Sequence, residues 1–192
     1  MGEVSGLSAP EPLADRHGLE DFRCGESSLD DWLLRRARAN QVSGASRTYV
    51  ACDGKRVVGY YALASGVVKV EIAPGRFRRN MPNPIPVAVL ARLAVDRDWQ
   101  GRGIGRGLFR DAAQRVAHAA DVIGIRGIVV HAISDEARNF YVALGFDPSP
   151  REPMTLMVTL SDVRAALIPD RQLIRGYEGS RISLEVPPAA GM

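Results

Sequence analysis

Apolar positions along the chain change rhythm several times, and each change marks an element. Leu29, Trp32, Leu33, Arg36 and Ala37 follow a helical stripe as far as Asn40, and Ser28 with Asp31 three positions on reads as the capping box that opens it. The runs 47–52 and 57–68 are rich in β-branched and aromatic residues and are separated by Asp53-Gly54, which predicts an antiparallel hairpin. Residues 73–86 hold Pro74, Gly75, Pro82, Pro84 and Pro86 and predict a long loop without regular structure, of the kind that tends to be functional in a small domain. Residues 87–95 are nearly all apolar, as in a central strand covered on both faces, and Ile104, Leu108, Phe109, Ala112, Val116 and Ala119 then recur at helical spacing. Another buried strand is predicted over 127–133, a short helix capped by Ser134 and ended by Gly145 over 135–144, and a last strand over 154–160. The order predicts an α/β fold, one mixed sheet flanked by helices, with no internal repeat. We expect one domain over 1–160 and an irregular, partly disordered tail over 161–192, where Pro169, Pro187 and Pro188 stand.

The junction between the central strand and the long helix carries the chemistry. Gly101, Gly103 and Gly105 have no Cβ, so the backbone there can turn tightly and aim several N–H groups into one concavity at a helix N-terminus. The first amides of a helix lack internal partners and the macrodipole adds positive charge, so a diphosphate satisfies both; Arg102 and Arg106 flank the loop and could add charge-assisted bonds. Spacing excludes two common phosphate loops. A dinucleotide fingerprint starting at Gly101 or Gly103 needs a small residue where Arg106 or Leu108 stands, and a Walker loop needs a lysine, whereas Lys55 and Lys69 are the only lysines.

Composition narrows the picture. The 192 residues, 46% hydrophobic, suffice for a single core. Net charge is only +3, but the positive side is almost all arginine, which suits planar contacts to phosphate and is equally the product of codon bias. Cys24 and Cys52 have neither metal spacing nor the pattern of a disulfide scaffold, and no stretch approaches a membrane span or an export signal, so a soluble, cytoplasmic protein is expected. His17, His118 and His131 are too dispersed for a metal motif; His118 reads as helix surface, His131 as strand packing, and no metal is expected.

Gln100-x-x-Gly103-x-Gly105 after an apolar strand resembles the acetyl-CoA loop of the GCN5-related N-acetyltransferases (GNAT), and Ala137-x-x-Phe140-Tyr141-x-x-x-Gly145-Phe146 resembles their second signature. The resemblance implies a sheet that splays beside its central strand and an acetyl-CoA site built from Leu93, Ala94, Val95, Gln100, Gly101, Arg102, Gly103, Ile104 and Gly105. Backbone groups of Leu93 and Val95 would meet the pantetheine arm, and the loop amides the diphosphate. It also implies that Tyr141 is the general acid that protonates the departing thiolate, whereas pattern alone favours Tyr141 as core on an apolar helix face with Ala137, Phe140 and Leu144. Many relatives carry a carboxylate base on the central strand, whereas residues 89–95 offer only Arg92. That departure fits an α-amino acceptor, which needs less help to lose its proton than a lysine, with Asp96 or Asp98 acting through water as the alternative.

A narrower resemblance rests on Trp32, Asn40-Gln41, Arg47-Thr48-Tyr49-Val50, Gly59-Tyr60-Tyr61, Arg78-Arg79-Asn80-Met81-Pro82, Leu90-Ala91-Arg92-Leu93 and Val130-His131-Ala132, all within residues 12–160. Together these resemble the GNAT toxins of bacterial type II toxin–antitoxin pairs. The resemblance implies acetylation of the α-amino group of aminoacyl-tRNA, a block of translation, a cognate antitoxin with a ribbon-helix-helix part, and a homodimer. Arg76, Arg78 and Arg79, with Arg35, Arg36 and Arg38, would then contact tRNA phosphates; their plainer reading is a solvated charged face. Two other functions share these cofactor residues: an N-acetyltransferase for a small amine or protein N-terminus, and a non-catalytic module that responds to acetyl-CoA.

Overall fold

The computed structural model describes residues 6–167. Seven strands form one sheet: β1 (Glu11–Pro12), β2 (Arg47–Asp53), β3 (Arg56–Val68), β4 (Ile85–Val95), β5 (Gly127–His131), β6 (Asp147–Pro148) and β7 (Thr155–Thr159). Their spatial order is β1-β2-β3-β4-β5-β7-β6, and only the β4–β5 pair is parallel. The helices are α1 (Ser27–Arg35), α2 (Ala37–Ser43), α3 (Gly75–Arg78), α4 (Ile104–Ala119), α5 (Asp135–Ala143) and α6 (Leu160–Leu167). One face of the sheet packs Tyr61, Leu90, Ile128 and Val130 against Leu108, Ala112 and Val116 of α4, Tyr141 of α5 and Val163 of α6. The other face buries Val50 and Tyr60 with Leu33 and Ala37, and Val129 and Met157 with Phe77 of α3. Among the described residues no helix is long and apolar enough to cross a membrane.

The expected mixed α/β sheet flanked by helices is the one observed, with local corrections. The first helix is capped by Glu26, whose carboxylate accepts from the Ser28 amide (3.3 Å), rather than by Ser28. It breaks at Arg36 and resumes as α2, which Gly44 ends in the left-handed conformation (φ 79°). The proline-rich stretch is not wholly irregular. Pro74 starts the single turn of α3, which buries Phe77, and β4 begins at Ile85, because these two apolar side chains gain more in the core than the prolines cost. Two-residue strands β1 and β6 carry no periodicity to read. Past Thr159 the chain is helical rather than irregular: Val163 is buried and Arg164 donates to the Ala117 carbonyl and the Asp121 carboxylate at the end of α4. Residues 161–167 of the expected tail are therefore helical, and its remainder lies outside the described residues.

Two details of the sheet open the site. β4 carries an extra residue: Arg92 pairs with Ala62 and Leu90 with Leu63, so Ala91 is a bulge. On its other edge β4 pairs with β5 only at Ala88–Ile128 and Val89–Val129, so the two strands part before Leu93. Close packing anchors the start of β5, where a Cβ on Gly127 would lie 2.0 Å from the Val158 carbonyl oxygen and 2.8 Å from Phe77.

Candidate active site

The gap between β4 and β5 exposes backbone that a continuous sheet would consume. The Asp96 amide donates to the Val58 carbonyl of β3 (2.8 Å), and alternation along the strand turns the peptide groups of Val95 and Leu93 the opposite way, into the gap. Beyond Val95, Gly101 (φ 73°) and Gly103 (φ 80°) take left-handed conformations that favour glycine. Gly103 is the N-cap of α4 but offers no side chain, and the helical ladder starts with the Gly107 amide on its carbonyl (3.1 Å). The preceding amides are left for a ligand, and the 16-residue α4 adds its dipole. Gly105 lies against Phe140 and Val95, which brings α5 to the loop.

These elements enclose a cleft of about 760 Å³. Leu93, Ala94, Val95, Gln100, Gly101, Gly103, Ile104, Gly105 and Tyr141, all anticipated from the sequence, line it together. Arg102 does not: its guanidinium stacks over Trp99 (4.9 Å to the ring centroid), and Arg106 lines the cleft in its place. Gln100 contributes through structure, its Nε2 donating to the carbonyls of Val95 (2.9 Å) and Cys24 (2.8 Å), so one side chain ties the strand end to the segment before α1.

Ser134 accepts from the Ala137 amide (3.1 Å) as predicted and starts α5, which carries Tyr141 between Phe140 and Phe146 in edge-to-face contacts of 5.3 and 5.4 Å. Tyr141 is 7% exposed, and among the described residues its hydroxyl makes no hydrogen bond to the protein. Burial pushes this phenol up to about 12, so it stays protonated at neutral pH. Cys24 also lines the cleft, but burial and the neighbouring Asp30 carboxylate push its thiol up to about 12, which leaves it a poor nucleophile. Cys24 and Cys52 are free thiols.

Neither Asp96 nor Asp98 lines this cleft. Asp96 is fully buried and accepts from the Arg23 amide (3.1 Å), the Asp98 amide (3.1 Å) and Arg56 (3.1 Å), so it locks the end of β4. Asp98 is exposed and faces Arg56 at 3.4 Å.

The arginines anticipated as a tRNA surface divide by their partners. Arg76 pairs with Asp162 (2.8 Å) and Asp147 (3.5 Å), and thus fastens α3 to α6. Arg38 donates to the His17 carbonyl (2.9 Å) and Arg35 faces Asp31 at 3.7 Å. The side chains of Arg36, Arg78 and Arg79 are exposed and without partners among the described residues. Arg92 projects from beside the bulge and lies over the ring of Trp32 (5.4 Å), which stacks on Tyr60.

A second cleft, of about 990 Å³, opens on the other face of the sheet and includes Val89, Val129, His131, Glu152 and Thr155. His131 is exposed there instead of packed within a strand, because β4 has already turned away from the end of β5. Its Nδ1 lies 3.0 Å from the Thr155 hydroxyl, which donates to the Glu152 carboxylate (3.2 Å). Among the described residues no group of three or more His, Cys, Asp or Glu is placed to hold a metal ion.

A splayed sheet, a glycine-rich amide loop at a helix N-terminus and a buried phenol in the same cleft define an acyl-CoA-dependent transferase, and they fit an elongated diphosphate cofactor. The chain belongs to the GNAT family of acetyltransferases: the family model described as acetyltransferase (GNAT) domain matches residues 44–148. Over 164 residues, 85% of this chain and 99% of the relative, it is 55% identical to a tRNA-acetylating toxin of Mycobacterium tuberculosis. Among solved structures it is similar to AtaT complexed with acetyl-methionyl-tRNAfMet (TM-score 0.78, 29% identity, 84% of this chain and 99% of that one). It is also similar to a mutant AtaT toxin bound to the C-terminus of the antitoxin AtaR and acetyl-CoA (TM-score 0.72, 29% identity, 84% and 97% covered).

Proposed function

We propose that this chain is the toxin of a toxin–antitoxin pair and transfers acetyl from acetyl-CoA to the α-amino group of aminoacyl-tRNA in the cytoplasm, which blocks translation. The observation that carries the reading is the combination of the amide loop and buried Tyr141 on one side of the gap with unpartnered Arg78 and Arg79 elsewhere on the surface. The 55% identity to a tRNA-acetylating toxin and the likeness to AtaT with its tRNA product and its antitoxin support it.

Acetyl-CoA, when bound, supplies the acetyl group as a thioester. The amides of Gly101, Gly103, Ile104 and Gly105 would hold its diphosphate, and the gap-facing peptide groups of Leu93 and Val95 its pantetheine arm. Tyr141, kept neutral by burial, gives its proton to the departing sulfur. Arg78 and Arg79 take tRNA phosphates, whereas Arg76 serves mainly to fix the fold. The reading includes one acetyltransferase domain that runs at least to Leu167, a homodimer, and an antitoxin of ribbon-helix-helix type. The test is transfer of labelled acetyl to purified aminoacyl-tRNA, run beside free amino acids and peptides. Label on aminoacyl-tRNA that Tyr141→Phe abolishes is the expected result; label on small amines alone selects a metabolic acetyltransferase.

A further inference from the structure

We infer that His131 is the general base that takes the proton from the acceptor amine, and that Thr155 and Glu152 hold its ring in the tautomer this requires. The inference rests on the transferase reading above and adds the residue which that reading lacks, since Asp96 and Asp98 are committed to the fold.

The tautomer follows from counting protons. A carboxylate accepts hydrogen bonds and donates none, so the single hydroxyl proton of Thr155 points to Glu152 Oε2 (3.2 Å). The Thr155 oxygen can then only accept from the imidazole, and His131 Nδ1, 3.0 Å away, must carry the hydrogen. In the neutral ring Nε2 is left with its lone pair, and among the described residues it has no partner. The holding groups are themselves held. Thr155 is buried and pairs with His131 in the β5–β7 register, and its amide donates to the Glu152 carbonyl (2.8 Å). The Glu152 amide donates to the Ser149 hydroxyl (3.1 Å).

The position follows from the splay. His131 ends β5 two residues past Val129, the last residue paired to β4, and it faces the second cleft together with Val89 and Val129. Tyr141 belongs to the core on the opposite face. Acid and base therefore face the gap from opposite sides of the sheet, so that each meets a different substrate, the amine and the thioester sulfur. The amine nitrogen forms its bond to the acetyl carbon and gives a proton to Nε2 while the carbonyl π pair moves to oxygen; when that pair re-forms the C=O bond, the C–S electron pair goes to sulfur, which takes the Tyr141 proton. Solvent then removes the proton from His131 and restores that of Tyr141. The other charged groups facing the same cleft are Lys69, Glu71 and Arg151, and Glu152 is the carboxylate in the chain to the ring.

The test has a readout that needs no substrate. Long-range proton–nitrogen NMR of the free protein, with the signals assigned by loss in His131→Gln, should report a hydrogen on Nδ1 and a bare Nε2; Thr155→Val should shift the ring toward the other tautomer. In acetyl transfer, His131→Gln should lower kcat by about 10²–10³ and flatten the acid limb of the kcat/KM profile. Acetyl-CoA affinity should not move, and Thr155→Val and Glu152→Gln should fall in between with a displaced limb. A hydrogen found on Nε2, a wild-type acid limb in His131→Gln, or a loss confined to the KM for tRNA would each overturn the assignment. If the wild-type chain acetylates some other amine, the substrate reading fails alone and the same profile on that amine decides His131; acetylation of no amine overturns both.

Discussion

The two edges of β4 are built from the same kinds of residue and do opposite work. On the β3 side ten positions pair, from Gly59–Val95 to Val68–Ile85; on the β5 side two do. The long seam holds the sheet, and the short one frees backbone groups and side chains for a ligand. The difference teaches that this fold places its chemistry where the ladder is unfinished, and supports that opening with polar locks at its rim. Gln100 and Asp96 are such locks: each holds its side chain on backbone or a cation of another segment.

The sharpest way to break the contrast is on the open side. Tyr141→Phe should lower kcat by about 10²–10⁴ while the melting temperature stays within error, because its hydroxyl bonds to nothing in the protein among the described residues. On the closed side the pattern should invert. Asp96→Ala leaves the Arg23 and Asp98 amides and Arg56 without their acceptor. It should cost about 3 kcal/mol, about 10 °C in a thermal melt, with kcat at permissive temperature within a few-fold of wild type. A pH–rate profile altered in that variant would return Asp96 to the list of bases. Smaller still, Arg78→Ala with Arg79→Ala should raise the KM for tRNA several-fold and flatten its dependence on salt by about one unit per arginine, with acetyl-CoA affinity untouched.

The smallest effect lies in alkaline stability. Burial raises Tyr141 to about 12, Cys24 to about 12 and Cys52 to about 11, with Tyr60 and Tyr61 higher, each from ordinary values of 9.0 or 10.0. The folded state thus holds protons that the unfolded chain releases first. Stability is full below about pH 9 and falls as pH rises toward 12. Tyr141→Phe removes one of these groups, so a chemical-denaturation series should show a slightly shallower alkaline loss than wild type.

How much of this was legible depended on sequence distance. The amide loop and the helix of Tyr141 are local: glycine spacing, a Ser134 cap and an apolar stripe announce them within about a dozen residues. Loop and helix met in one cleft as expected. The bulge at Ala91 was not legible, because it exists only as a mismatch with β3, about thirty residues earlier. His131 misled for a related reason. By alternation it shares a face with buried Val129, and only the departure of β4 exposes it. Arg102 followed the family pattern, but Trp99 offered its guanidinium a ring. Arg76 looked like its neighbours until Asp162 came beside it from 86 residues away.

The unfinished seam also bears on inhibition. The two clefts, about 760 and 990 Å³, lie on opposite faces of the sheet, one lined by Leu93 and Val95 beyond the last β4–β5 pair and the other by Val89 and Val129, which form that pair. A single small molecule that reached both clefts would be gripped by backbone amides at one end and by the His131 imidazole, held by Thr155, at the other. Such a compound would gain selectivity from two unrelated chemistries, and resistance by one substitution would relax its hold at only one end.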